Sequence, residues 1–140
     1  MANLLPDDIR PVLDNGIPAV MVTCSADGIP NVTVISQVYY VDESHVALSF
    51  QFFNKTIRNV RENPRAYVCL SDIASGAQWV LQLEFRRSEM EGPIFEAMDM
   101  QIEAIASATG MSGIFKLRAA DIYRVLSVEQ LAGPEAAAPS

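Results

Sequence analysis

The segment Ser49-Phe-Gln-Phe-Phe-Asn-Lys-Thr-Ile-Arg-Asn-Val-Arg-Glu-Asn-Pro-Arg65 gathers four of the chain's ten basic residues, Lys55, Arg58, Arg61 and Arg65, although the formal net charge is -7. An acidic chain that concentrates its cations in one short stretch is arranged to hold an anion there. Val46 to Phe53 reads as a strand, and Asn54 is a good N-cap for the helical segment that follows. A helix start offers unpaired backbone N–H groups and a partial positive charge, with Lys55 and the Thr56 hydroxyl in its first turn. That combination suits a phosphate. The same residues also support a plainer reading. Ile57 and Val60 face a core, Arg58 and Arg61 share a solvated side, and Glu62 can pair with Arg58 at i, i+4.

Other chemistry is sparse. The single histidine, His45, follows a turn and reads as a surface or edge residue. Without it no Ser–His–acid or Cys–His set can be built, and the sequence shows no metal-ligand cluster. No phosphate-loop or dinucleotide fingerprint is present. Glu89, Glu91, Glu96, Asp99 and Glu103 read as the solvated face of one helix. An enzyme built on this chain would need a cofactor to carry the reaction.

The elements that must position these residues are mostly strands. Residues 5–14 read as a short helix opened by Pro6 and closed near Asn15-Gly16. Ala19 to Cys24 is an apolar strand. Asp27-Gly28 then turns it into a second strand, Pro30 to Val41. Asp42-Glu-Ser44 leads into Val46–Phe50. After the basic helix, Asn63-Pro64 stops helical pairing, and strands follow at Ala66–Leu70 and Gln78–Phe85. Ser88-Glu-Met-Glu91 has the form of a capping box opening a long helix, with Ile94, Phe95, Met98, Ile102, Ile105 and Ala106 at helical spacing up to Gly110. Ile114–Leu117 and Asp121–Val128 close the fold as strands. Hairpin-length turns without βαβ alternation predict a mainly β (α+β) fold, an antiparallel barrel with peripheral helices.

Half of the 140 residues are apolar and 19% are charged. This composition predicts one globular domain that buries a face against a partner. The acidic balance argues against nucleic acid and against anionic membranes. No apolar run has the length of a membrane span, and Asp7 and Asp8 do not suit a signal peptide. Cys24 and Cys69, without CxxC spacing, are expected to be buried free thiols in a cytoplasmic protein.

Four features together resemble the pyridoxamine 5'-phosphate oxidase-like, FMN-binding split-barrel family, over roughly residues 5–128. A helix precedes a strand–Asp27-Gly28-Ile-Pro30–strand hairpin. The third strand runs into Asn54-Lys55-Thr56. The helix ends in Asn63-Pro64-Arg65, and Gln78-Trp79 opens the next strand. The Gln51-Phe-Phe-Asn-Lys-Thr56 block is more similar to a bacterial subgroup than to the oxidase itself. The resemblance implies a six-stranded antiparallel split barrel over residues 1–132, homodimeric with FMN at the interface; the stretch 133–140, rich in Ala and Pro with no core-forming pattern, is expected to be a flexible tail. The resemblance assigns Asn54, Lys55 and Thr56 to the phosphate, with Ser49 and Gln51 ending the strand beside the flavin. Ser36 and Gln37 would edge the ring, and Gln78 and Trp79 would reach it from the other subunit.

Departures from the oxidase are specific. The stretch Asn31-Val-Thr-Val-Ile-Ser-Gln37 has no cation, where the oxidase's second strand presents an arginine and a lysine. Lys55 is followed by Thr56, where the oxidase has adjacent basic residues. After Ile114 come Lys116, Arg118 and Arg124 but no histidine. These differences argue against oxidation of pyridoxamine phosphate. The resemblance implies an FMN-binding protein, a flavin-dependent oxidoreductase of unknown substrate reduced by a nicotinamide or small molecule. A non-catalytic flavin or ligand sensor is the alternative, and a haem- or deazaflavin-binding relative is a third reading.

Overall fold

The computed structural model describes residues 5–15, 19–35, 37–50, 54–108 and 117–133. Seven strands form one sheet: β1 (Ala19–Cys24), β2 (Pro30–Ile35), β3 (Val38–Asp42), β4 (His45–Phe50), β5 (Arg65–Asp72), β6 (Ala77–Glu89) and β7 (Ala119–Ala132). Their order is β2-β1-β5-β6-β7-β4-β3, and every pairing is antiparallel. The two edge strands, β2 and β3, are consecutive in sequence. Ile35 and Val38 are three residues apart, so their Cα atoms lie within about 11 Å of each other. The sheet therefore has to curl until its edges nearly meet. That is a split barrel.

The count of seven corrects the expected six. The run Pro30 to Val41 is divided by residues 36–37 into β2 and β3, which hydrogen-bond to strands on opposite sides of the barrel. One continuous strand could not leave the β1 ladder and join β4 without that break. The β1–β2 hairpin forms as expected. Gly28 holds the positive φ of 82° that its turn needs, and its N–H bonds the Ser25 carbonyl at 3.0 Å.

Two apolar clusters organise the packing. The barrel interior is filled by Met21, Ile35, Val46, Leu48, Val68, Leu70, Leu81, Leu83, Tyr123 and Val125. Leu5, Ile9, Val12 and Leu13 join them from a 3₁₀ turn (Asp7–Ile9) and α1 (Arg10–Asn15). The predicted helix over residues 5–14 is thus a turn followed by a short α-helix. The second cluster lies outside the barrel, where strand alternation turns Ala47, Ala120 and Ile122 away from the interior. There α3 (Pro93–Ala108) covers them with Met98 and Ile102.

The start of α3 differs from the capping-box expectation. Ser88 and Glu89 remain in β6, where they pair with Asp121 and Ala120. The chain turns at Gly92, with φ at 100°, and Pro93 is the first helical residue. Tertiary pairing with β7 outcompetes the local cap. Of the predicted Ile114–Leu117 strand, residues 114–116 lie outside the described residues, and Leu117 precedes β7 as irregular backbone. In the tail, residues 134–140 lie outside the described residues. Both cysteines are free but half-buried, not fully buried. No described helix is long and apolar enough to cross a membrane.

Candidate functional site

The basic segment forms α2 (Asn54–Glu62), which begins four residues after β4 ends. Two hydrogen bonds fasten it to the β1–β2 hairpin. Asn31 Nδ2 donates to Thr56 Oγ1 at 3.0 Å, and Asn59 Nδ2 donates to Thr23 Oγ1 at 3.2 Å. Thr23 and Asn31 face each other across the hairpin, so both anchors rise from one rung of the sheet. Thr23, Thr56 and Asn59 are all buried. The turns at either end of α2 are therefore held by opposite corners of a small polar cluster.

The electrostatics of α2 run against helical convention. Its first turn has no acidic residue and its sequence places Lys55 there, whereas the helix dipole favours an acid at that end. Arg61 in the last turn obeys the rule. A cation at the positive end of a helix is unfavourable unless an anion sits beside it. The side chains of Asn54 and Lys55 lie outside the described set, as do residues 36 and 51, which carry the Ser36 and Gln51 expectations.

Between α2 and the barrel lies a cavity with about 10 Å³ of space for water, lined by Met21, Leu48, Ser49, Thr56, Ile57, Val60, Asp121 and Tyr123. That is room for one water molecule. Asp121 is the unexpected member, a carboxylate only 5% exposed and paired across the sheet with Leu48. Burial pushes its pKa up to about 6, although the Ser88 hydroxyl, donating to Oδ1 at 2.6 Å, and the nearby charge of Arg61 both favour the ionised form. Burial, with Asp121 beside it, also holds the Tyr123 phenol far above its usual range, so it stays a neutral hydroxyl.

The other expected residues are distributed around this centre. Ser49 is buried and reaches the cavity lining, but alternation puts its side chain on the face of Ala47, toward α3. Gln37 is buried at the β2–β3 break, where its Nε2 donates to Gln101 Oε1 on α3 at 2.5 Å and its Oε1 has no partner. Thr56 and Ser49 meet in the cavity lining, whereas Gln37 lies beyond the far end of β2 from Asn31, the residue that anchors Thr56. Gln78 and Trp79 do not join them. Trp79 pairs with Leu70 and Leu83 with Ala66, which places the indole about 13 Å along the sheet from the rung that anchors α2. Its ring lies in the barrel core with Nε1 unpaired, and only Gln78 is exposed.

Sequence reasoning passed over Asp121, Asn31 and Asn59. A signal for Asp121 existed: it shares strand parity with Tyr123 and Val125, two core residues. His45 opens β4 partly exposed, with Nδ1 2.9 Å from Asp42 Oδ1 across the β3–β4 turn. Among the described residues, no group of three or more His, Cys, Asp or Glu could hold a metal ion.

One outer face is conspicuously apolar. Val32 and Val34 of β2 are 65% and 57% exposed. Pairing continues the patch through Val20 and Val22 of β1 to Tyr67 and Cys69 of β5. It flanks the hairpin that anchors α2.

Comparison with known proteins agrees with this architecture. No curated protein sequence matches the chain. Among solved structures, HupZ from Group A Streptococcus superposes with a TM-score of 0.71 at 18% identity, over 96% of this chain and 100% of that one. An FMN-binding protein from Syntrophomonas wolfei gives 0.66 at 17% identity, over 90% of each chain. HutZ, the heme storage protein of Vibrio cholerae, gives 0.56 at 15% identity, over 96% of this chain and 92% of that one. At such identities the likeness concerns the fold. The family model described as pyridoxamine 5'-phosphate oxidase matches residues 5–125, nearly the whole described barrel, and the chain belongs to that family.

Proposed function

We propose that the chain is an FMN-binding protein acting as a homodimer, and that it is a flavin-dependent oxidoreductase. The observation that carries this reading is the start of α2. A family member with a net charge of -7 puts Lys55 in a first turn that has no acid, on a helix tied down by Asn31 and Asn59. The donors there fit a phosphate monoester: free amides of the first turn, Lys55, Asn54 and the Thr56 hydroxyl. Ser49, Gln51, Ser36 and Gln37 serve the ring, and the exposed Gln78 of the partner subunit completes the groove, backed by Trp79 in that subunit's core. The buried, unpaired Gln37 Oε1 lacks an N–H partner, and a flavin ring edge carries one.

When bound, FMN supplies the hydride or electron transfer that the side chains cannot. The chain's own part is to neutralise the phosphate, orient the ring and keep one ring face open to a small-molecule substrate. Burial of the apolar face of β2, β1 and β5 against a second copy would give each groove its second wall. A surface patch of this kind is typical of such a contact.

An absorbance spectrum of the protein before and after FMN addition, with unbound flavin removed, tests the reading. Retained bands near about 370 and about 450 nm that bleach with reduced nicotinamide support an oxidoreductase. Bands that persist with every reductant indicate a flavin sensor. A colourless sample overturns flavin binding.

A further inference from the structure

Asp121 of β7 and Thr56, in the first turn of α2, are both buried and line the same cavity. No catalytic step described above uses it. A carboxylate in the interior of a barrel is costly, and apolar residues would fill the position equally well. Its surroundings are defined among the described residues. Ser88 of β6 donates a hydrogen bond, Arg61 of α2 contributes a positive field, and Tyr123 of β7 is a neutral hydroxyl. The nearest charges on β6, Arg87 and Glu89, neutralise each other at 2.9 Å. Leu48 from β4, Met21 from β1 and Ile57 and Val60 from α2 are apolar. The carboxyl is therefore the one ionisable group of the cavity that can change its charge near neutral pH.

We propose that Asp121 is a proton-binding site coupled to the anion site at the start of α2, the proton and a phosphate-bearing ligand each strengthening the binding of the other. This rests on the phosphate reading given above. An ionised Asp121 places a negative charge inside the barrel, in the cavity that Thr56 of the first turn also lines. In that low-dielectric setting the carboxylate and a bound phosphate repel with little screening. Protonation removes the repulsion and leaves a neutral carboxyl that can pass a hydrogen bond, through the single water for which the cavity has room, toward Thr56. By linkage the effect is reciprocal: a bound phosphate raises the proton affinity of Asp121 by the same factor.

The test compares FMN with riboflavin, which lacks the phosphate, on the native chain and on Asp121→Asn, at about pH 5 and about pH 8. The phosphate's own titration is common to both chains and cancels in the comparison. The variant is expected to bind FMN about tenfold tighter than the native chain at the higher pH and equally at the lower one, with riboflavin unaffected throughout. Ser88→Ala, which removes the donor favouring the ionised form, should shift native FMN binding in the same direction. FMN binding by the native chain that Asp121→Asn leaves unchanged, or a shift shared by riboflavin, overturns the coupling alone. A native chain that binds no FMN overturns the phosphate reading as well.

Discussion

Asn31 and Thr56, 25 residues apart in sequence, meet in a 3.0 Å hydrogen bond that joins the β1–β2 hairpin to the first turn of α2. Directly across the ladder from Asn31, Thr23 receives Asn59 in the same manner. The helix start thus takes its position from a hairpin distant in sequence, and a side chain in its first turn cannot shift without disturbing the sheet. Asn31→Ala should cost about 1 kcal/mol of unfolding free energy and speed amide exchange in the first turn of α2. Urea titration with hydrogen-exchange mass spectrometry would show it. Loosening spread evenly over the barrel would contradict a local anchor.

Lys55→Ala separates the phosphate reading from the plainer one. Removing a cation from the positive end of a helix should leave fold stability unchanged or raise it slightly. Under the phosphate reading the same change weakens FMN binding by about 1–3 kcal/mol, the scale of one charged hydrogen bond. Thermal unfolding and a fluorescence titration, run on the same sample, give both numbers. Unaltered flavin affinity would remove Lys55 from the site.

The apolar face of β2, β1 and β5 makes a prediction about assembly. Val34 is exposed on the edge strand β2 and lies directly opposite Val20 in the patch. A charge there, as in Val34→Lys, touches no core residue and should leave the monomer folded. It should nevertheless convert a dimer to a monomer in sedimentation velocity, since a buried unpaired charge at an interface is strongly unfavourable. A native chain that sediments as a monomer at high concentration would exclude this face as a dimer contact.

Much of this architecture was legible in the sequence because it rests on local signals. Asp27-Gly28 specified its hairpin, and the alternation of Pro30–Ile35 and the Asn54–Arg65 block specified their strand and helix. Where long-range pairing decides, local reading failed. Ser88-Glu-Met-Glu91 has the form of a helix cap, yet Ser88 pairs with Asp121 in a strand. Pro30–Val41 alternates throughout, yet it must divide to serve both edges of the barrel. The residues proposed to meet a phosphate were visible as a charge anomaly. Asp121 was marked only by its parity with Tyr123 and Val125, and parity does not say which face is interior until the register is known.

Asp121 also predicts how stability depends on pH. Its carboxyl ionises at about 6 in the folded chain, against a reference value of 3.8, so the folded state holds the proton more tightly than the unfolded one. Stability from this group is therefore fully present below about pH 4, falls as pH rises toward about 6, and is flat above. A shift of roughly two pKa units corresponds to about 3 kcal/mol lost across that window, an upper figure because the cavity admits some relaxation. Other carboxylates titrate in the same range, so the informative quantity is the difference between native and Asp121→Asn. That difference should grow between about pH 4 and about pH 6 in favour of the variant, because the amide can still accept the Ser88 hydrogen bond without burying a charge. Two parallel stability curves would show that Asp121 has an ordinary pKa and that its burial is relieved by solvent or by Arg61.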